Sequence, residues 1–140
     1  MNSENSALEE KEQEQERPEE TLASNLAIFP GAPTQEQIEE WKQKAGEVFC
    51  SGFSDVELFI WRPVTRKEFI GLQTELAQVE NATQWDLEEK LVELCILWST
   101  PAGFDSLSKK AGTLSSLHEQ IMQNSNFVNP AMASALVIKL

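Results

Sequence analysis

VELFIWRPVTRKEF, residues 56–69, is the stretch on which the reading of the fold turns. Its first half alternates like a strand, with Val56, Leu58 and Ile60 on one face and Glu57, Phe59 and Trp61 on the other. Pro63 cannot continue a ladder, and it holds Arg62 in extended geometry. Thr65 is a good N-cap residue, and Glu68 three positions later completes a capping box. The stretch therefore predicts a strand, a short joint and an amphipathic helix whose Phe69, Leu72, Leu76 and Val79 face inward. Arg66 and Lys67 fall in the first turn of that helix, where the dipole disfavours cations by a few tenths of a kcal/mol. In so acidic a chain they are expected to pair with its own carboxylates rather than to bind an anion.

Working backwards, EVFCS (47–51) and residues 56–62 form a β-hairpin about Gly52-Phe53-Ser54-Asp55. Both faces of this hairpin carry bulky apolar side chains, where a solvated face would show polar ones. Before it, IFPGAPT (28–34) reads as an extended lead-in. Thr34 then caps a helix, QEQIEEWKQKAG, with Gln37 in the capping-box position, Ile38 and Trp41 as its apolar stripe and Gly46 as its stop.

Working forwards, Asn81 to Thr83 break the chain, and a helix begins near Trp85-Asp86. Leu87, Leu91, Leu94, Cys95 and Trp98 form one stripe, while Val92, Ile96 and Leu97 fill the circumference. Residues 91–98 are thus expected to be the middle of the core. STPAGFDSLSKKAGT (99–113) reads as a loop from its Pro and Gly content. Thr113 or Ser115 should cap the next helix, with Leu114, Leu117, Ile121 and Met122 inward. After Asn129-Pro130, AMASALVIKL predicts a short helix too apolar to stand alone.

Residues 1–24 are expected to be a disordered acidic tail, and 25–140 a single domain. The first 21 residues hold eight Glu against Lys11 and Arg17, a net charge of −6, and only Met1, Ala7 and Leu8 are apolar. Ordering such a segment costs about 1–2 kcal/mol per residue, far more than burying Leu8 and Met1 contributes. A transient helix over Glu9–Glu16 is the expected residual structure. The fold class is α+β and mainly helical, a short antiparallel hairpin packed with four to five helices.

Across all 140 residues the net charge is −12. A surface that negative repels phosphate backbones and anionic lipid, so neither nucleic acid nor membrane is an expected partner. No apolar run approaches the roughly 18 residues a membrane span needs, and the N-terminal sequence lacks a secretory pattern. The two cysteines, Cys50 and Cys95, sit in apolar stretches and read as small hydrophobes of a reducing cytoplasm. His118, the only histidine, has Leu114, Ser115, Ile121 and Met122 as its helical neighbours and reads as structural. Cys50, Cys95 and His118 lack metal-ligand spacing. Glu39-Glu40 and Glu88-Glu89 read as solvated helix faces, and no glycine-rich phosphate motif is present. No enzyme, cofactor or metal is expected. The apolar hairpin face of Phe49, Phe59 and Trp61, with Trp41, is the candidate partner-binding surface. The opposing expectation is that the chain's own helices cover it.

Four segments in fixed order carry a resemblance: APTQEQIEEWKQKAGEVF, FIWRPVTRKEF, LEEKLVELCILW and AGTLSSLHEQIMQNSNF. Together, over roughly residues 30–127, they resemble the small tail-assembly proteins of contractile-tailed bacteriophages, related to baseplate hub assembly proteins and tail assembly chaperones. Trp98 is followed by Ser-Thr-Pro rather than directly by Pro, and Asn126 stands where that pattern tends to have Gly. The resemblance implies an assembly role without a catalytic residue, keeping the tape-measure protein soluble or assisting the baseplate hub. Partners would be tape-measure or hub proteins, with self-association open. The location would be the host cytoplasm or, if the chain is a retained structural subunit, the virion. Mass spectrometry of purified virions separates an assembly factor from a retained component.

Overall fold

The computed structural model describes residues 18–128, 133 and 135–140, and the chain divides between Ala32 and Pro33 into two units. Among the described residues of the first unit, helix α1 runs Pro18–Ile28. The expected tail therefore loses residues 18–24 to a helix. Glu19 and Glu20 lie in its first turn, where the dipole favours them. Leu22, Ala23 and Ala27 are good helix formers. Gly31, at φ 85°, supplies a left-handed turn beyond it. The expected helix over Glu9–Glu16 lies outside the described residues.

The second unit is mainly helical α+β, as its pattern predicts. Its elements are α2 (Gln35–Ala45), β1 (Phe49–Gly52), β2 (Leu58–Trp61), α3 (Arg66–Ala77), α4 (Gln84–Cys95), β3 (Ile96–Ser99), α5 (Pro101–Lys109) and α6 (Ala111–Asn124). Local chemistry sets most of the helix starts. Thr34 accepts the Gln37 N–H, and Thr65 and Glu68 make both halves of a capping box. The Asp86 carboxylate accepts the Thr83 N–H at 2.7 Å. Gly46 ends α2 at φ 84°.

The sheet is antiparallel in the order β1-β2-β3. The third strand is a departure from expectation, because Ile96–Ser99 leaves the helix axis and pairs with β2. The cause is a demand from β2, whose side away from β1 would otherwise be unpaired. Arg62 donates its N–H to the Cys95 carbonyl, and Thr100 donates its N–H to that of Leu58. Pro101 keeps Thr100 extended, and Ile96 and Trp98 suit a pleated surface. An irregularity between Ile60 and Trp61 leaves Leu97 as the extra residue of a bulge. Central placement also accounts for two apolar faces, since all four β2 residues are buried.

The expected loop at 99–113 is largely helix. Thr100 caps α5 by accepting the Gly103 N–H, and Pro101 takes the first position, where its missing N–H costs nothing. The buried residues of α5 are Gly103 and Ser106, with half-buried Leu107 packed against the core beside them. A Cβ at Gly103 would stand 2.9 Å from Thr100 Oγ1, 3.1 Å from Phe59 Cζ and 3.2 Å from the Leu58 carbonyl oxygen. That close approach requires glycine.

The core gathers Phe59, Trp61 and Val64 with Leu91, Val92 and Cys95 of α4 and Leu117 and Ile121 of α6. Helix α4 packs on α3 and α6, and α5 on α6 and β2. Val79 lies beyond the end of α3 and is exposed, so it leaves the predicted stripe. At the C-terminal end, Ala133 and Ala135 are helical, but residues 137–140 are not, and 129–132 and 134 lie outside the described residues. Leu136, Val137, Ile138 and Leu140 stand exposed rather than packed. β-Branched Val137 and Ile138 disfavour a helix too short to sustain itself.

Candidate functional site

The joint at residues 62–65 is held by a half-buried ion pair. Arg62 donates two parallel bonds to Glu68, Nη1 to Oε1 at 2.8 Å and Nη2 to Oε2 at 2.7 Å, and a third from Nη1 to the Pro63 carbonyl. This fork geometry makes the pair a clamp between strand and helix. The Arg62 bonds, joined by the N–H and hydroxyl of Thr65, bring the Glu68 carboxyl down to about 2. Arg62, not Arg66 or Lys67, thus supplies the expected internal pairing. Among the described residues, Arg66 and Lys67 make no ion pair.

The predicted partner surface does not stand as an exposed patch. Phe59 is fully buried and Trp61 is 2% exposed. As central-strand residues they point into the space closed by α4 and α6. Trp61 donates its indole N–H to Ser51 at 2.7 Å, and Ser51 in turn donates to Gln120. Phe49 is half-buried, stacked on Trp61 with ring centroids 4.8 Å apart. Trp41, also half-buried, lies apart from that stack in a cleft of about 370 Å³ with Lys44, Arg62, Pro63 and the bulged Leu97. The chain's own helices therefore cover the hairpin face.

Other apolar side chains take the exposed positions. Phe104 is 71% exposed and Trp85 70%. Phe104 points out because Gly103 and Ser106, with half-buried Leu107, occupy the inner face of α5, a face whose two most buried residues a hydrophobic-periodicity rule does not find. Beside the joint, Val64, Phe69, Ile70 and Phe127 form the walls of a second groove of about 380 Å³, with Arg66 at its edge. The Phe69 and Phe127 rings lie 4.9 Å apart at 54°. Two backbone devices set this groove. Val64 donates its N–H to Ser125 Oγ, which donates to the Ile121 carbonyl. Asn126 adopts φ 68°, and Phe127 donates its N–H to the Met122 carbonyl while Asn126 donates to that of Gln123. That pair of bonds is a Schellman turn, and it fixes the Phe127 ring against Phe69.

The titratable groups outside the joint are arranged structurally. Glu88 is not solvated as its adjacent-acid sequence suggests. It lies 3.7 Å from His118 Nδ1, with both side chains largely buried. Ser115 donates its hydroxyl to Glu88 at 3.2 Å, so its proton faces the carboxylate rather than the imidazole. Burial lowers the His118 pKa against the opposing charges of Glu88 and Glu119, and its Nε2 is buried without a hydrogen-bond partner. Cys50 and Cys95 are free thiols, each pushed up to about 11 by burial. Thiols so raised are poor nucleophiles. Lys110 donates to Glu57 at 2.7 Å and holds its carboxyl below the ordinary range. Among the described residues no cluster of three His, Cys, Asp or Glu is placed to hold a metal, and no helix is long and apolar enough to cross a membrane. No family model, curated protein or solved structure matches the chain.

Proposed function

We propose that the protein is a non-enzymatic binding protein that serves in the assembly of a contractile phage tail, holding the tape-measure chain or a baseplate hub protein through apolar contacts. The observation that carries this reading is the placement of large apolar groups outside a complete core. Phe104, Trp85, Ile70 and Phe127 meet water while Arg62 at the joint and Glu57 just before the central strand are paired within the chain. Apolar surface of this kind suits helix- or segment-in-groove recognition. A charge of −12 keeps such a surface from self-aggregating. The tail-assembly context comes from the four ordered segments between residues 30 and 127, and partner identity follows from them alone.

The test is capture in a co-expressing cell. An affinity-tagged chain should retain the tape-measure or hub protein of the same phage through gel filtration. Retention of neither protein would remove the assembly reading.

A further inference from the structure

The cations of the folded unit are distributed unevenly between paired and unpaired. Lys42, Lys44, Arg62, Lys90, Lys109 and Lys110 each reach a carboxylate within 2.7–3.6 Å. Arg66, Lys67 and, near the C-terminal end, Lys139 do not, among the described residues, although the chain holds 23 acidic residues against 11 basic ones; of these three only Arg66 and Lys67 lie in a helix. Both stand in the first turn of α3, which the helix dipole makes unfavourable for positive charge. Nothing in the stability of the helix calls for them there.

Arg66 also borders an apolar groove. Among the described residues, the groove between Val64, Phe69, Ile70 and Phe127 has no acidic residue in its lining, and Arg66 is its only charged member. Its volume of about 380 Å³ falls within the roughly 300–1,000 Å³ typical of ligand pockets. Ile70 is 46% and Phe127 39% exposed, so water meets apolar walls there. Those walls are pre-formed, because the Ser125 bond fixes Val64 and the Schellman turn fixes Phe127.

We propose that this groove binds an acidic segment of a partner protein, seating an apolar side chain among Phe69, Ile70 and Phe127 and a carboxylate on Arg66. Charge complementarity selects the occupant. A basic segment would meet Arg66 across the groove, and a neutral apolar one would leave its guanidinium unused. A chain this acidic repels acidic partners at long range. Binding therefore depends on the local cation and apolar anchor together, which makes it selective. The inference deepens the proposed function by giving the partner segment its chemistry, and it rests on the reading of the protein as a binding protein.

A random dodecapeptide library displayed on filamentous phage tests this, with selection on the full chain and counter-selection on Arg66→Glu. Clones lost on the variant should carry Asp or Glu beside Leu, Ile or Phe. The synthetic peptide of such a clone should bind Arg66→Glu and Ile70→Glu about tenfold or more weakly than wild type. It should bind Val79→Ser, altered at an exposed site outside the groove, equally well. Both groove positions are exposed, and unchanged melting temperatures confirm that the variants fold. Absence of any clone that distinguishes the variant, or distinguishing clones that are basic or lack acids, would overturn the proposal. Co-expression separates the two readings. If wild type and Arg66→Glu solubilise the tape-measure protein equally, the groove proposal fails and the assembly reading stands. If the peptides behave as expected but wild type retains neither the tape-measure nor the hub protein, the assembly reading fails and the groove stands.

Discussion

Thr100 joins three parts of the molecule through one hydroxyl. It is fully buried, donates to the Val56 carbonyl at 2.5 Å, and accepts the N–H groups of Leu58 at 3.1 Å and Gly103 at 3.0 Å. One donor and two acceptor sites are the whole capacity of a hydroxyl, and all are used. Thr100→Val keeps the shape but orphans two buried N–H groups, at about 1–3 kcal/mol each. Its melting temperature should fall by several degrees, with Thr100→Ser close to wild type; equal stability of the valine variant would contradict this. Gly103→Ala, driven into Thr100, Phe59 and Leu58, should cost roughly 1–3 kcal/mol by denaturant unfolding. Glu68 gives a pH signature. Its carboxyl is lowered on folding from an ordinary 4.5 to about 2. It therefore stabilises the fold above the unfolded value and loses that contribution as pH falls from about 4.5 through about 2. Urea denaturation across this window should show wild type losing stability faster than Glu68→Gln. Parallel pH profiles would exclude the Arg62 clamp. The Thr65 cap was legible because its partner lies three residues away. Thr100 was not, because its strand partners lie 42 and 44 residues away and nothing local marks them.

At the scale of elements, the strand-joint-helix reading of residues 56–69 holds, and the departures cluster where a tertiary demand overrides a local pattern. Residues 91–98 look like one helix because their apolar residues continue past Cys95. The unpaired side of β2 needs a third strand, however, and the chain switches at Ile96 to supply it. The Pro and Gly of residues 101–103 suggest a loop. Here they are a helix start and a close helix-to-strand contact, two uses that composition alone does not separate. The turn after α6 offers a test. Asn126 holds φ 68°, a region in which glycine is free and β-branched residues are strained. Asn126→Gly should leave stability nearly unchanged, whereas Asn126→Val should lose about 1–2 kcal/mol. Equal melting temperatures for the two variants would show that the Schellman turn does not form.

Across the whole molecule, the aromatic residues sort by register rather than by hydrophobicity. Trp61 lies on the central strand and is 2% exposed; Trp85 lies in the first turn of α4 and is 70% exposed. Trp61→Ser removes a core ring and its bond to Ser51, and should cost about 3–5 kcal/mol. Trp85→Ser should stay within about 0.5 kcal/mol. Differential scanning calorimetry of the pair checks the assignment, and a stable Trp61→Ser would return Trp61 to the surface. The alternating pattern announced two apolar faces on β2 but not which elements cover them, so Phe59 and Trp61 read as a surface and are core. The groove at Val64, Phe69, Ile70 and Phe127 joins residues more than fifty positions apart, and no sequence window contains it. The proposed function requires the protein to cover a partner's apolar surface. The most direct measurement is the soluble fraction of the tape-measure protein after centrifugation of cells expressing it with and without this chain. A several-fold rise with the chain is expected, and an unchanged soluble fraction would contradict the account.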